Sequence, residues 1–281
     1  MGAGRATFDR GGAAYPSELY DTTQVAEPVE FLSDIGEAEL ERYRREGFLA
    51  VRRALPPATA LDAVAALEAL AAPGSPADVQ YEKWAEDILD TLTATERLDT
   101  TRKFVSFTGH DARLAALAND PDILAVVARL LGGTPRMFQE MALLKPPARG
   151  REKPWHQDNA FFHMVPGTPI VGVWIALDAA TLANGCMRVI LGSHREGPVR
   201  HAHLRDLQIC DHDVSVERGV GVPLPPGGLM FFDGLLQHGT PANRTTSRRR
   251  ALQFHYTVAD VTSTSDEEHR AVFGMVDGDE C

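Results

Sequence analysis

The chain is short of three things. It has only 3 cysteines in 281 residues, Cys186, Cys210 and Cys281, an odd number at wide spacings. That pattern predicts neither a disulfide framework nor a zinc cluster, and it suits a reducing cytoplasm. It lacks any apolar run near the roughly 18 residues that a membrane-spanning helix needs. Residues 1–20 hold no apolar segment of the kind a secretory leader carries, so none is expected. Positive charge is scarce too: 28 basic against 39 acidic residues leave a net charge of −11. An acidic chain repels polyanions, so neither nucleic acid nor an anionic membrane is an expected partner. What remains, 44% hydrophobic and 24% charged residues, suits one large globular domain with helical additions.

The texture of the chain divides it. Residues 1–32 carry Gly, Pro and scattered polar residues and read as an arm. Residues 33–135 read as mainly helical support. Asp34 with Glu37 predicts a capping box, Leu40 and Tyr43 give an apolar stripe, and Gly47 closes the helix. Phe48–Val51 reads as a strand. After Pro56-Pro57, the stripe Leu61, Val64, Leu67 and Leu70 predicts a core-packing helix up to Pro73. Tyr81–Thr101 reads as partly helical, Arg102–Phe107 as a strand, and Asp111–Leu131 as helix broken near Pro121. From Arg136 the pattern changes to short apolar runs between Gly, Pro, Asn and Asp: 136–145, 170–178, 186–191, 227–233 and 249–258. That spacing predicts an antiparallel jelly roll over 136–258, with a tail over 259–281. The expected architecture is mainly β with α additions, the helices packed on one sheet.

Within the β region, Pro154-Trp155-His156-Gln157-Asp158 stands out. In an extended segment the side chains at i and i+2 leave one face, so His156 and Asp158 point into one space. An imidazole and a carboxylate are two-thirds of the 2-His-1-carboxylate arrangement that holds non-heme Fe(II) with open positions. The pattern alone is weak, since 10 His and 39 acids give about 1.4 such pairs by chance. A second pair, His194 and Glu196, sits in a turn composition that does not impose a shared face, so His194 reads as structural. The third ligand is expected at His238, which follows an apolar run and precedes Gly239-Thr240-Pro241. A hairpin through the polar loop 243–247 would then return Arg249 beside His238. By strand parity Arg249, Ala251, Gln253 and His255 share a polar face, and Leu252, Phe254 and Tyr256 an apolar one. The arginine is placed to clamp a carboxylate.

These residues carry a resemblance. Gln139–Pro147, Pro154–Asp158, Val173–Leu177, Asn184–His194 and the series His238, Gly239, Thr240, Asn243, Arg249, Ala251 resemble the phytanoyl-CoA dioxygenase family. The likeness runs from about Asp34 to Tyr256 and is nearest to the phytanoyl-CoA dioxygenase domain-containing branch. It implies a double-stranded β-helix that uses Fe(II), 2-oxoglutarate and O2, releases succinate and CO2, and oxidises a small organic molecule. It implies iron at His156, Asp158 and His238, and the distal carboxylate of 2-oxoglutarate at Arg249 and Thr240. Met141, Trp174 and Lys103 are implied around the same co-substrate. Gln139, His163, Gln253 and His255 are candidates to touch substrate. The halogenases of this fold carry Ala or Gly where Asp158 stands, so the resemblance implies oxygenation rather than chlorination. No CoA-specific feature is present. Loops over the mouth, within 1–32, 73–101 and 195–220, are expected to set selectivity.

Overall fold

The computed structural model describes residues 5–9, 13–22, 24–165, 167–258, 261–274, 276–277 and 281. Its strands are β1 (Ala6–Asp9), β2 (Phe48–Val51), β3 (Asp78–Glu82), β4 (Thr101–Val105), β5 (Arg136–Lys145), β6 (Lys153–His156), β7 (Val171–Ala176), β8 (Met187–Ile190), β9 (His201–His203), β10 (Leu207–Ile209), β11 (Gly219–Val222), β12 (Leu229–Asp233), β13 (His238–Thr240), β14 (Arg249–Thr257) and β15 (Val276–Asp277). Eight of them form one sheet in the order β1-β3-β4-β5-β14-β7-β12-β2. Four form a second, β11-β8-β13-β6, and a small third sheet is β10-β9-β15. The helices are α1 (Glu37–Glu46), α2 (Pro57–Leu70), α3 (Ala94–Thr100), α4 (Ala112–Ala118), α5 (Pro121–Leu131) and α6 (Asp266–Phe273).

The period-2 alternation of the strands sorts the molecule into layers. On the large sheet Leu49, Val51, Val173, Ile175, Leu229, Phe231, Leu252, Phe254 and Tyr256 face one way and pack with α1, α2, α4 and α5 in one core. Their neighbours Phe48, Ala50, Trp174, Ala176, Met230, Phe232 and Ala251 face the other way. There they meet Met187, Val189, Val220 and Val222 of the small sheet in a second core. Each such fully buried aliphatic or aromatic side chain contributes about 1.5–3 kcal/mol relative to exposure. The expected jelly roll with helices on one sheet is thus observed, and β1, β2, β3 and β4, from outside 136–258, extend its large sheet. The parity expected for β14 holds through Tyr256, the register shift opposite His255 and Tyr256 being taken up by Phe138 of β5.

Three local expectations need correction, while the partly helical character expected of 81–101 holds. The Asp34 carboxylate accepts the Phe31 N–H at 2.9 Å and closes a preceding 3-10 turn, whereas α1 opens at Gly36, whose N–H is taken by Glu39 at 2.9 Å. Two acids, Asp34 and Glu39, each accept the backbone N–H three residues before them, and the spacing of acids alone does not tell which opens the helix. In α2 the buried face is Ala60, Ala63, Ala66, Leu67 and Leu70, and Leu61 is 68% exposed. Alanines let the helix approach the sheet closely but add little to an apolar stripe. Residues 81–101 hold part of β3 and short 3-10 turns before the seven-residue α3. Finally, Cys210 and Cys281 form a disulfide with Cα atoms 5.3 Å apart, leaving Cys186 as the free, buried thiol. A pairing across 71 residues is invisible to local spacing, and with it the cysteine argument for a reducing compartment falls away. Among the described residues no helix is long and apolar enough to cross a membrane.

The expected β-hairpin after His238 is also absent, and the reason matters for the site. β13 belongs to the small sheet, between β8 and β6, while β14 lies in the large sheet between β5 and β7. The loop therefore crosses from one sheet to the other. Asn243 holds that crossing from inside: its side-chain amide donates to the carbonyls of Lys145, Pro146 and Ser247, and its Oδ1 accepts from the N–H and hydroxyl of Thr245. It is fully buried. Replacing Asn243 by Ala should strand several of these groups and lower unfolding stability by about 3 kcal/mol, at about 1–3 kcal/mol for each buried group left unmet. Denaturant midpoints at unchanged slope check this. A loss below half a kilocalorie would show that water replaces the side chain.

Candidate metal centre

β6 and β13 lie side by side, antiparallel, with His156 and His238 as register partners. Their ring centroids are 4.2 Å apart. β6 ends at His156; Gln157 stays extended at φ −110 and ψ 133, and Asp158 opens a 3-10 turn over Asp158–Phe161. The extended link keeps Asp158 on the His156 side although Asp158 is outside the strand. All three residues are at least 96% buried, and one donor atom from each lies within 4.8 Å of the others.

The hydrogen bonds fix the tautomers. Nδ1 of His156 sits 2.7 Å from the Pro154 carbonyl and Nδ1 of His238 sits 2.9 Å from the Leu236 carbonyl. A carbonyl only accepts, so both Nδ1 atoms carry hydrogen and both Nε2 atoms of the neutral rings present lone pairs. Those lone pairs face Asp158 Oδ1 at 3.2 and 3.6 Å. Burial pushes His238 down to about 3, helped by the adjacent His156, so the ring is neutral near pH 7. Burial opposes ionisation of Asp158 as well. Its electrostatic interactions with the His238 and His255 imidazoles and the hydrogen bond from His255 outweigh it and hold the carboxyl well below its usual range. Three acceptor atoms thus converge in a dry pocket, an arrangement that repels itself unless a cation sits among them. The donor set of two imidazoles and one carboxylate fits iron with an open face.

The triad opens into a cavity of about 500 Å³ between the two sheets. Its wall includes the expected Arg249, Thr240, Met141, Trp174 and Lys103, together with Gln139 and Gln253. Arg249 pairs in register with Lys145, not with His238, and faces the triad from the opposite sheet. It is 2% exposed, its guanidinium carbon lies 5.8 Å from the Trp174 ring centroid, and its Nε and Nη1 have no hydrogen-bond partner among the described residues. Burial lowers its pKa to about 10, still a cation at neutral pH. A buried cation with unmet donors is costly by several kcal/mol, and an anion is the partner that would offset that cost. Lys145, by contrast, is spent on the carbonyls of Arg151, Thr240 and Pro241.

Two substrate candidates lie elsewhere. His163 is half-exposed, 3.3 Å from Asp266 and stacked on His269 of α6, outside the cavity wall. His255 is fully buried behind Asp158, in contact distance of Phe138, Phe162 and Phe232, and does not line the cavity. His194 is structural as expected: its Nε2 meets the Arg44 carbonyl and its ring fills the space beside Gly47. The second group with ligand spacing, Cys210, His212 and Asp213, has its sulfur in the disulfide. Several wall residues escaped sequence reading. Lys153, Phe161, Phe162 and Met187 line the cavity, and from the loop 195–220 come Arg205 and Asp206. Met187 had a signal, since it alternates with Val189, which pairs with His238; the loop residues had none. Gly172 shows why a glycine interrupts a central strand: a Cβ there would lie 2.2 Å from the Phe232 ring that packs on His238.

A two-sheet jelly roll with a buried His-Asp-His triad and a buried arginine on the cavity wall defines the class of metal-binding double-stranded β-helix proteins. The sequence model described as Phytanoyl-CoA dioxygenase (PhyH) matches residues 43–251, and the chain belongs to that family. A probable phytanoyl-CoA dioxygenase of Caenorhabditis elegans is 34% identical over 158 residues, 50% of this chain and 49% of that protein. Phytanoyl-CoA dioxygenase domain-containing protein 1 of Danio rerio is 29% identical over 159 residues, 54% of this chain and 55% of that one. The chain thus spans about half the length of these curated relatives. Among solved structures, EvdO2 from Micromonospora carbonacea var. aurantiaca complexed with 2-oxoglutarate has a TM-score of 0.65 at 24% identity, covering 85% of this chain and 97% of that one. The epimerase SnoN from nogalamycin biosynthesis, in complex with Fe3+, alpha ketoglutarate and nogalamycin RO, has a TM-score of 0.62 at 22% identity, covering 82% and 86%. The structural likeness is one of fold.

His201 ties this centre to acid stability. Its Nε2 accepts the Gln157 N–H at 3.0 Å and its Nδ1 donates to the Val199 carbonyl at 2.9 Å, so a second ring proton would oppose the Gln157 N–H. Burial pushes it down to about 3. With the folded pKa below the unfolded one, the unfolded chain binds more protons, and stability falls as pH drops from about 6.5 toward 3, by at most about 1.4 kcal/mol per pH unit for this group. Wild-type stability should therefore fall more steeply between pH 6.5 and 5 than that of His201→Gln. Parallel slopes in denaturant titrations would contradict it.

Proposed function

We propose that this protein is an Fe(II)- and 2-oxoglutarate-dependent oxygenase that hydroxylates a small organic molecule. The observation that carries the reading is the pairing of two needs in one cavity. Three lone-pair donors converge on one point, and a buried guanidinium whose Nε and Nη1 meet no acceptor among the described residues faces the same cavity. Iron bound by His156, Asp158 and His238 together with 2-oxoglutarate supplies the first need and the second, and when bound it supplies the oxidising chemistry that consumes O2 and yields succinate and CO2. Family membership supports the reading.

The residues of the chain do the rest. Arg249 holds the distal carboxylate of the co-substrate, with Thr240 beside it. Trp174 walls the guanidinium on one side, and Met141 and Lys103 close the same region. Phe161 and Phe162 present apolar surface at the mouth and exclude water, so that the oxidant meets only substrate. Asp158 occupies the position a halide would need, which disfavours chlorination. Epimerisation and ring closure use the same metal chemistry, and SnoN and SnoK, described as an epimerase and a carbocyclase, share the fold. A metal-only cupin of other function would leave Arg249 without a task.

Purified protein with ferrous ion should convert 2-oxoglutarate to succinate, and His156→Ala should abolish both turnover and stoichiometric iron binding. Arg249→Gln should retain iron and raise the half-saturating 2-oxoglutarate concentration about 100-fold, the loss expected from two charge-assisted hydrogen bonds at about 1.5 kcal/mol each. Turnover of 2-oxoglutarate that is indifferent to Arg249, or iron binding indifferent to His156, would sink the proposal.

A further inference from the structure

The Asp158 carboxylate has two oxygens with different surroundings. Oδ1 faces the two ligand imidazoles. Oδ2 points the other way, 2.7 Å from His255 Nε2 and 3.0 Å from the side-chain nitrogen of Gln253. Both partners come from β14, in the opposite sheet, where Gln253 and His255 stand two residues apart on the inward face. A carboxylate held ionised only accepts, so His255 Nε2 and the Gln253 amide both donate, and both converge on one oxygen. Their own separation of 3.2 Å follows from that shared target. His255 cannot swing away: it is fully buried, and Phe138, Phe162 and Phe232 stand around it at centroid distances of 6.0, 5.0 and 6.1 Å. Its Nδ1 has no hydrogen-bond partner among the described residues, so the carboxylate bond is what orients the ring.

We infer that His255 and Gln253 are positioning residues that lock Asp158 into binding metal through Oδ1 alone. A free carboxylate can rotate and offer both oxygens, occupying a second coordination position. With Oδ2 saturated by two donors, that rotation would break two charge-assisted hydrogen bonds. The lock therefore keeps positions open for co-substrate and O2, and it makes β14 of the large sheet, not the turn bearing Asp158, what aims the ligand. The inference rests on the metal-site reading above.

The test uses Co(II) in the metal-free full-length protein, read by affinity and by visible ligand-field absorption. Wild type should bind one Co(II). The double variant His255→Phe/Gln253→Leu, which keeps bulk and apolar packing, should lose about 10–100-fold in Co(II) affinity and change the absorption shape and intensity as the carboxylate changes mode. His255→Gln, able to donate from a similar distance, should recover most of both. Should the double variant fail to fold, Gln253→Leu alone should still shift the spectrum. Failure of wild type to bind Co(II) would overturn the metal site and this inference together. Wild-type binding with an unchanged spectrum and affinity in the folded variants, or no recovery by His255→Gln, would overturn the inference and leave the metal site standing.

Discussion

The structure depends on one constraint: a carboxylate buried between two sheets must be satisfied from both. Asp158 comes from a turn at the end of β6 in the small sheet, and its two oxygens look in different directions. One meets imidazoles of its own sheet; the other meets Gln253 and His255 of the large sheet. Ionised and 4% exposed, it is tenable because Gln253 and His255 donate to one oxygen, while the other meets the imidazole lone pairs at the point where a cation would bind. The spacing of the sheets, the parity of β14 and the small residues opposite Phe232 all serve to bring those partners within reach.

Charge in the cavity runs against charge in the chain. The protein carries −11 overall, yet the cavity wall holds Arg102, Lys103, Lys145, Arg151, Lys153, Arg205 and Arg249 against Glu152, Asp158 and Asp206. Much of that basic charge is already committed. Lys153 pairs with Asp206 at 2.7 Å, Arg205 with Glu152 and Asp211 at 2.8 Å, and Arg151 with Glu82 at 2.7 Å. The N-terminal arm reaches the same network, since the Tyr20 hydroxyl donates to Glu152 and its ring stacks on Trp155 next to His156. Among the described residues Arg249 is deeply buried with Nε and Nη1 unmet, which is why the proposed function gives it the anion.

Much of this was legible in the sequence, for reasons that are physical. The five apolar runs from 136 to 258 became β5, β7, β8, β12 and β14 because strands covered on both faces read as short continuous apolar runs. His156 and Asp158 were readable from spacing because Gln157 is extended. Arg249 was placed correctly in the cavity by an incorrect route. Parity gave its face, but the loop 243–247 changes sheets instead of folding back, and nothing local distinguishes those outcomes. The role of His255 was hidden for a related reason. Strand parity says a side chain points inward; it does not say whether the side chain reaches the cavity or stops behind a ligand. The disulfide and the loop residues Arg205 and Asp206 depend on tertiary closure and left no periodic trace.

The central claim is that two imidazoles and one Asp158 oxygen hold a single ferrous ion beside an arginine that anchors a keto-diacid. Anaerobic titration of ferrous-loaded protein with 2-oxoglutarate, followed by visible absorption, tests it most directly. The account predicts a metal-to-ligand charge-transfer band that saturates at one equivalent of iron and one of 2-oxoglutarate per chain. Stoichiometric iron with no such band, or a chain that takes up no iron, would contradict it.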